Sequence, residues 1–295
     1  MNKLEAPWPY FGKKTKWSDD VWSRFGTPEV YSEPFAGSAA ILLQSPSIAK
    51  REVICDINGF VCNFWRSVKH DPEQAAGYAD YPTIHDDLRA RHRWLISWGN
   101  DNASKLTEDP EWYDPKAAGW WAWGFANWIG AGWCDGTFYD FIPRPGGDGI
   151  SQQRKDINLE TIMHWFGRLH ERLKGVIVYN RPWGHAVTKC VLDYYPQRPK
   201  NPSIAVFLDP PYKVDGRAKN LYEGDDSNDP AVAAYMWAMK HGDTHRIAYA
   251  MQAGDFAVPD DWEELQQPFR GYGLDREKRD CIIFSPACNR QQTLF

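Results

Sequence analysis

A chain of 295 residues with 43% hydrophobic content can bury one sizeable core and carry an insertion. No segment is long and apolar enough to span a membrane, and Cys55, Cys62, Cys134, Cys190, Cys281 and Cys288 show neither a C-x-x-C pair nor Cys/His zinc spacing, so neither a membrane partner nor a metal is expected. The net charge of −5 argues mildly against a nucleic-acid partner, but Arg144 to Lys219 carries 13 Lys/Arg against 7 Asp/Glu, leaving −11 for the remainder, a split that suits a phosphate-facing side and an acidic back.

The chain opens with Trp8-Pro9-Tyr10-Phe11-Gly12-Lys13-Lys14, read as a loop. Glu29–Tyr31 reads as a short strand, followed by Glu33-Pro34-Phe35-Ala36-Gly37-Ser38-Ala39-Ala40 and an apolar helical run from Ile41. A second strand, Glu52–Cys55, ends at Asp56-Ile57-Asn58. Strand, glycine turn, helix, strand and acidic residue is the order of a nucleotide-binding βαβ unit, with the acidic residue near the expected ~20 residues downstream. Gly37 permits close backbone approach to a ligand, and Asp56 is placed to accept hydrogen bonds from ribose hydroxyls.

Residues 60–155 read differently, with few β runs and a cluster of Arg89, Arg91 and Arg93. They also hold Trp120, Trp121, Trp123 and Trp133, then the glycine-rich Pro145–Gly149. They are expected to form a mainly helical insertion carrying target recognition, with 1–59 and 156–295 as a discontinuous catalytic domain. The tryptophans are expected to pack the core, with a base-stacking platform as the alternative. Arg89, Arg91, Arg93, Arg144, Arg154, Lys155, Lys213 and Arg217 are candidate DNA contacts.

Leu159, Ile162, Met163, Phe166, Leu169 and Leu173 form a helical stripe that stops before Gly175. Strands follow at Val176–Tyr179 and Ile204–Leu208, then a helix from about Ala231 to Lys240, and strands at Arg246–Ala250 and Cys281–Phe284. Alternating strands and helices imply an α/β fold, a Rossmann-like, mostly parallel sheet with helices on both faces. Ligands in such sheets sit beyond the carboxyl ends of the strands, where Glu33, Asp56 and Asp209 all fall.

Asp209-Pro210-Pro211-Tyr212 directly follows the apolar strand. A carboxylate and a proline-flanked carbonyl can accept both hydrogens of one planar amine, and an aromatic ring can stack on the base that bears it. Four separated segments now line up. Tyr10–Lys14, Glu33–Ala39, Asp56–Asn58 and Asp209–Tyr212 resemble, in order, the amino-terminal, methionine-binding, acidic and catalytic motifs of the Dam-like DNA adenine N6-methyltransferases. Ile283–Cys288 is similar to the carboxyl end of phage-type members. Lys13 stands where that family has a glycine.

The resemblance implies an S-adenosyl-L-methionine-dependent enzyme that methylates a flipped adenine in double-stranded DNA. It implies Asp209, Pro210, Pro211 and Tyr212 as catalytic. It implies Tyr10, Phe11, Gly12, Lys14, Glu33, Pro34, Phe35, Ala36, Gly37, Ser38, Ala39, Asp56, Ile57, Asn180, Trp183 and Asp209 as cofactor-binding. A cytoplasmic protein is expected, and the oligomeric state is left open, a monomer being one option. Methylation of RNA or a glutamine amide on the same fold, or a DNA-binding module with an inactive cofactor site, are the alternatives. Methylation of cytosine C5 is disfavoured, because no cysteine directly follows a proline. One departure stands out: Pro182, in Asn180-Arg181-Pro182-Trp183, occupies the family's acidic position. Asn180 or a backbone carbonyl is then the candidate partner of the cofactor's adenine amine, and weaker cofactor binding is expected.

Overall fold

In a computed structural model, the structure describes residues 3–8, 14–128, 132–134, 150, 156–193, 203–211, 229–266 and 279–288. The strands are β1 (Val30–Glu33), β2 (Arg51–Asp56), β3 (Val176–Asn180), β4 (Ile204–Leu208), β5 (Arg246–Gln252), β6 (Glu263–Gln266) and β7 (Asp280–Phe284). They form one sheet in the order β3-β2-β1-β4-β5-β7-β6. The first five run parallel, while β7 lies antiparallel between β5 and β6. This is the α/β sheet that the alternation of elements implies, with an antiparallel edge added.

Burial explains the order. Every residue of β1 and β4 is buried, as a strand covered on both faces requires. β3 alternates buried with half-buried residues. Glu263-Glu264-Leu265-Gln266 of β6 buries none fully, which marks the edge and explains why it carries no strand signal.

Nine helices surround the sheet among the described residues: α1 (Ser18–Phe25), α2 (Ala40–Leu43), α3 (Gly59–His70), α4 (Pro72–Gly77), α5 (His85–Glu108), α6 (Pro115–Asn127), α7 (Leu159–Leu173), α8 (Lys189–Leu192) and α9 (Pro230–His241). Three begin at an Asp-Pro pair. Asp71, Asp114 and Asp229 each accept a backbone N–H of the first turn, and the proline supplies the first helical residue, whose missing N–H costs nothing there. Asn158 and Thr161 form a reciprocal capping box on α7.

One face of the sheet carries α1 and the helices α3, α4, α6 and α7, and they share one core with β1 and β2. The segment 60–155 therefore contributes α3, α4 and α6 to the central core. Aromatic rings knit it together. Trp8 meets Phe64 edge-on at 4.5 Å and Trp121 at 4.9 Å, and Phe64 meets Phe166 at 5.5 Å, each such pair contributing about 0.5–1.5 kcal/mol beyond its buried area. Trp121, Trp123 and Trp133 are all buried, as the core reading expects. The opposite face packs α9 on β4, β5 and β7.

Two buried arginines fix the β2–β3 side. Arg172 of α7 grips Glu52 of β2 with both nitrogens, at 2.6 and 2.8 Å. Arg66 of α3 donates to the carbonyls of Val178, Leu106, Asp109 and Trp112. Lys69 donates to Val176 O at 2.7 Å. One face of α3 thus satisfies carbonyls along the exposed edge of β3.

Candidate active site

The carboxyl ends of β1, β2 and β4 open onto a cavity of about 850 Å³. That volume lies within the roughly 300–1,000 Å³ of small-molecule sites. Its walls come from widely separated segments: Lys14, the turn after β1, the end of β2, the start of α3, the turn after β3, the end of β4 and the start of α9.

The turn after β1 is held in left-handed backbone at two places, Gly37 (φ +45°) and Ala39 (φ +48°). Glycine adopts that region freely, whereas Ala39 does so against its Cβ. Neighbours hold the turn in place. Ala36 N donates to Cys55 O at 2.9 Å, Gly37 N donates to Asp56 Oδ2 at 2.8 Å, and Trp65 Nε1 donates to Gly37 O at 3.0 Å. Asp56 therefore does structural work as well as lining the cavity. Its other oxygen accepts Asn58 N at 2.8 Å. Burial raises its carboxyl above the usual range, against the pull of these N–H groups.

Glu33 is 2% exposed yet borders the cavity. One oxygen accepts from Tyr31 Oη at 2.9 Å and Leu42 N at 3.0 Å. Burial nonetheless pushes its carboxyl up to about 7, and the charge of Asp209 adds to the rise. Asp209 sits at the end of β4, 23% exposed, with Lys14 Nζ 3.0 Å from Oδ1. Burial raises the Asp209 carboxyl, and the Lys14 ammonium opposes the rise. Pro210 and Pro211 complete that wall.

The cavity thus gathers Lys14, Glu33, Pro34, Phe35, Ala36, Ser38, Asp56, Ile57, Trp183, Asp209, Pro210 and Pro211 out of the residues expected at the site. Gly37 and Ala39 shape the turn behind it. Four carboxylic side chains (Glu33, Asp56, Asp209 and Asp229) face one lysine, a donor set suited to a cationic ligand. The family model described as D12 class N6 adenine-specific DNA methyltransferase matches residues 10–94, the span that contains Lys14, the glycine turn and Asp56. Over that span the chain is similar to the Dam-like adenine methyltransferases. No curated protein matches it. The reaction of such enzymes is methylation of adenine N6 in DNA, and S-adenosylmethionine is the donor the family generally uses.

Two of the residues expected at the site are buried away from the cavity. Arg91 is 8% exposed and lies inside a ring of aromatics, 4.1 Å from Tyr81, 4.9 Å from Trp123 and 5.0 Å from Trp120. It also pairs with Asp87 at 3.1 Å. It faces these rings, with little of its surface open to solvent. Asn180 is 6% exposed and does not border the cavity. Its amide donates to Asp56 O at 3.0 Å and Ile57 O at 3.1 Å, so it braces the turn instead of presenting itself to a ligand.

Arg89 and Arg93 occupy the exposed face of α5, one helical turn apart. Tyr10, Phe11, Gly12, Tyr212, Arg144, Arg154, Lys155, Lys213 and Arg217 lie outside the described residues. Sequence reasoning missed Phe125 of α6, Val61 of α3, and Asp229, Pro230 and Ala233 at the start of α9, and held Trp121 of α6 only as an alternative stacking surface; all of them border the cavity. Of those missed, only Asp229 carried a sequence signal, its Asp-Pro helix start.

Proposed function

We propose that this enzyme transfers a methyl group from S-adenosyl-L-methionine to N6 of an adenine turned out of duplex DNA, with Asp209 and the Pro210 carbonyl as the amine acceptors. The observation that carries this reading is that Asp209-Pro210-Pro211 shares one cavity with the Glu33–Ala40 turn and Asp56. A cavity of about 850 Å³ gives room for two guests side by side. The acidic lining suits a donor with a net positive charge.

The glycine turn, Asp56 and Ile57 would hold the donor, with Asp56 toward the ribose. When bound, that donor supplies an activated methyl on a sulfonium, so the protein need not generate a stronger electrophile. The target amine is a weak nucleophile because its lone pair is delocalised into the purine. Asp209 and the Pro210 carbonyl accept its two hydrogens and favour the pyramidal nitrogen that attack requires. As the N–C bond formed, the donor's S–C bond would break to release a neutral thioether, and the nitrogen, now cationic, would have to lose one proton. Asp209, raised by burial, is placed to take it. Positioning of this kind contributes on the order of 7–11 kcal/mol.

Lys14 occupies Asp209 before any amine arrives. The incoming base would displace that ammonium, and Tyr212 would stack on it. An adenine inside a duplex cannot enter such a cavity, so extrusion is required. Target recognition falls to the segment 60–155, with Arg89 and Arg93 toward phosphate. Because α3, α4 and α6 are core elements, the recognition surface is narrower than the segment itself. The proposed catalytic unit is the sheet with residues 1–59 and 156–295.

Incubation with tritiated donor and unmethylated duplex DNA, single-stranded RNA or protein extract tests this. Label in N6-methyladenine of the DNA supports it. Label confined to RNA or protein overturns the substrate, and none in any acceptor overturns the activity.

A further inference from the structure

We propose that the purine end of the cofactor pocket holds its ligand by stacking and shape and does not read the purine's 6-amino group. The inference rests on the cofactor reading above, which places the purine where β2 and β3 end. Five cavity-lining residues form that end: Phe35, Ile57, Asn58, Pro182 and Trp183. Phe35 and Trp183 stack face to face at 5.7 Å and 20°. Ile57 is 76% exposed at the cavity wall, a large apolar surface with no partner in the fold. Together these residues offer a planar ring good apolar contact.

None of them offers a side-chain acceptor. Pro182 has no polar side-chain atom. Asn58 uses Oδ1 to cap α3, accepting from Phe60 N at 2.9 Å and Val61 N at 3.5 Å. Asn180, the obvious substitute in sequence, is turned inward with its amide on Asp56 O and Ile57 O. The carbonyls of the turn are engaged too. Arg181 O accepts from Cys55 Sγ at 3.2 Å, and Pro182 O accepts from His185 N at 3.0 Å. Asp56, whose oxygens each accept one backbone N–H, from Asn58 and Gly37, is taken up by the ribose in this reading. Among the described residues, an exocyclic amine placed here meets rings and proline.

A site built to hydrogen-bond a ligand N–H rejects the analogue lacking it, because its buried acceptor is left unpaired. Among the described residues no free side-chain acceptor waits here, so the analogue loses little. Calorimetry with the wild-type protein tests this using S-adenosylhomocysteine, its analogue with hydrogen in place of the 6-amino group, and its N6-methyl analogue. Dissociation constants of all three within about 3-fold are expected, against roughly 10-fold or more where a charged acceptor reads the amine. Pro182→Asp should restore a preference for the amino form. Wild-type binding of the parent compound with 10-fold or greater loss for the 6-hydrogen analogue overturns this inference and leaves the cofactor reading standing. No binding of any of the three overturns the cofactor reading itself, and this inference with it.

Discussion

Lys14 Nζ lies 3.0 Å from Asp209 Oδ1, and the lysine is only 4% exposed. The pair joins Lys14, the one described residue of the amino-terminal motif, to the end of β4 along the cavity lining. A cation this well enclosed sets the ionisation of its partner, since burial alone raises the Asp209 carboxyl and Lys14 is the largest opposing influence.

Removing that cation should move the pH profile. In Lys14→Met, Asp209 loses its counter-ion and its carboxyl rises further. Less of it is ionised at a given pH, so the acid limb of kcat shifts to higher pH. Steady-state rates from pH 5 to 9 in both proteins check this, and an unmoved limb rejects the coupling.

Glu33 carries a separate pH signature in stability. Its carboxyl stands at about 7 in the folded protein against an ordinary 4.5. Below the ordinary value both states are protonated and nothing is lost. Between about 4.5 and 7 the folded state binds more protons than the unfolded state, so stability falls as pH rises. The accumulated penalty above that window is on the order of 3 kcal/mol. Glu33→Gln keeps an oxygen for Tyr31 and Leu42 but cannot ionise. Its stability relative to wild type should therefore improve by that amount between pH 4 and pH 8, read from urea unfolding at both values. A constant difference contradicts the assignment.

Arg66 tests the edge of the sheet. Its guanidinium supplies hydrogens to four buried or half-buried carbonyls on β3 and around the end of α5. Each acceptor left unsatisfied costs about 1–3 kcal/mol, so Arg66→Met should destabilise by at least about 3 kcal/mol in denaturant titration. A loss below 1 kcal/mol would show that water replaces the arginine.

The three arginines of α5 should separate cleanly. Arg89→Ala and Arg93→Ala should weaken DNA binding and each lower the slope of log K against log salt by about 0.9, without changing the melting temperature. Arg91→Ala should leave the salt slope alone and lower stability, because it empties a cage of three rings. Fluorescence anisotropy across a salt series, paired with thermal melts, distinguishes them.

The sequence makes the catalytic edge of the sheet legible because apolar runs end there in residues with special chemistry. Ile204–Leu208 is followed at once by Asp-Pro-Pro, and β2 ends at Asp56. Charge groups Arg91 with Arg89 and Arg93 as a candidate DNA contact, but spacing separates it: Leu88, Arg91, Leu95 and Trp98 recur at helical spacing and form the buried stripe of α5. Trp121 stood out only as one of several tryptophans offered as a stacking surface, and Phe125 carried no signal. Both sit on a helix buried nearly all round, where periodicity cannot say which rings reach the cavity. The inward turn of Asn180 was equally hidden, since it depends on the carbonyls of Asp56 and Ile57 meeting it across two parallel strands.

The central claim is that Asp209 holds the target amine. Single-turnover methyl transfer to adenine N6 in duplex DNA, comparing wild type with Asp209→Asn and Asp209→Ala at matched folding by circular dichroism, tests it most directly. The account predicts wild-type transfer and a fall of about 100-fold or more in both variants, as when a pre-set charge-stabilising group is removed. Transfer by either variant at close to the wild-type rate would contradict it.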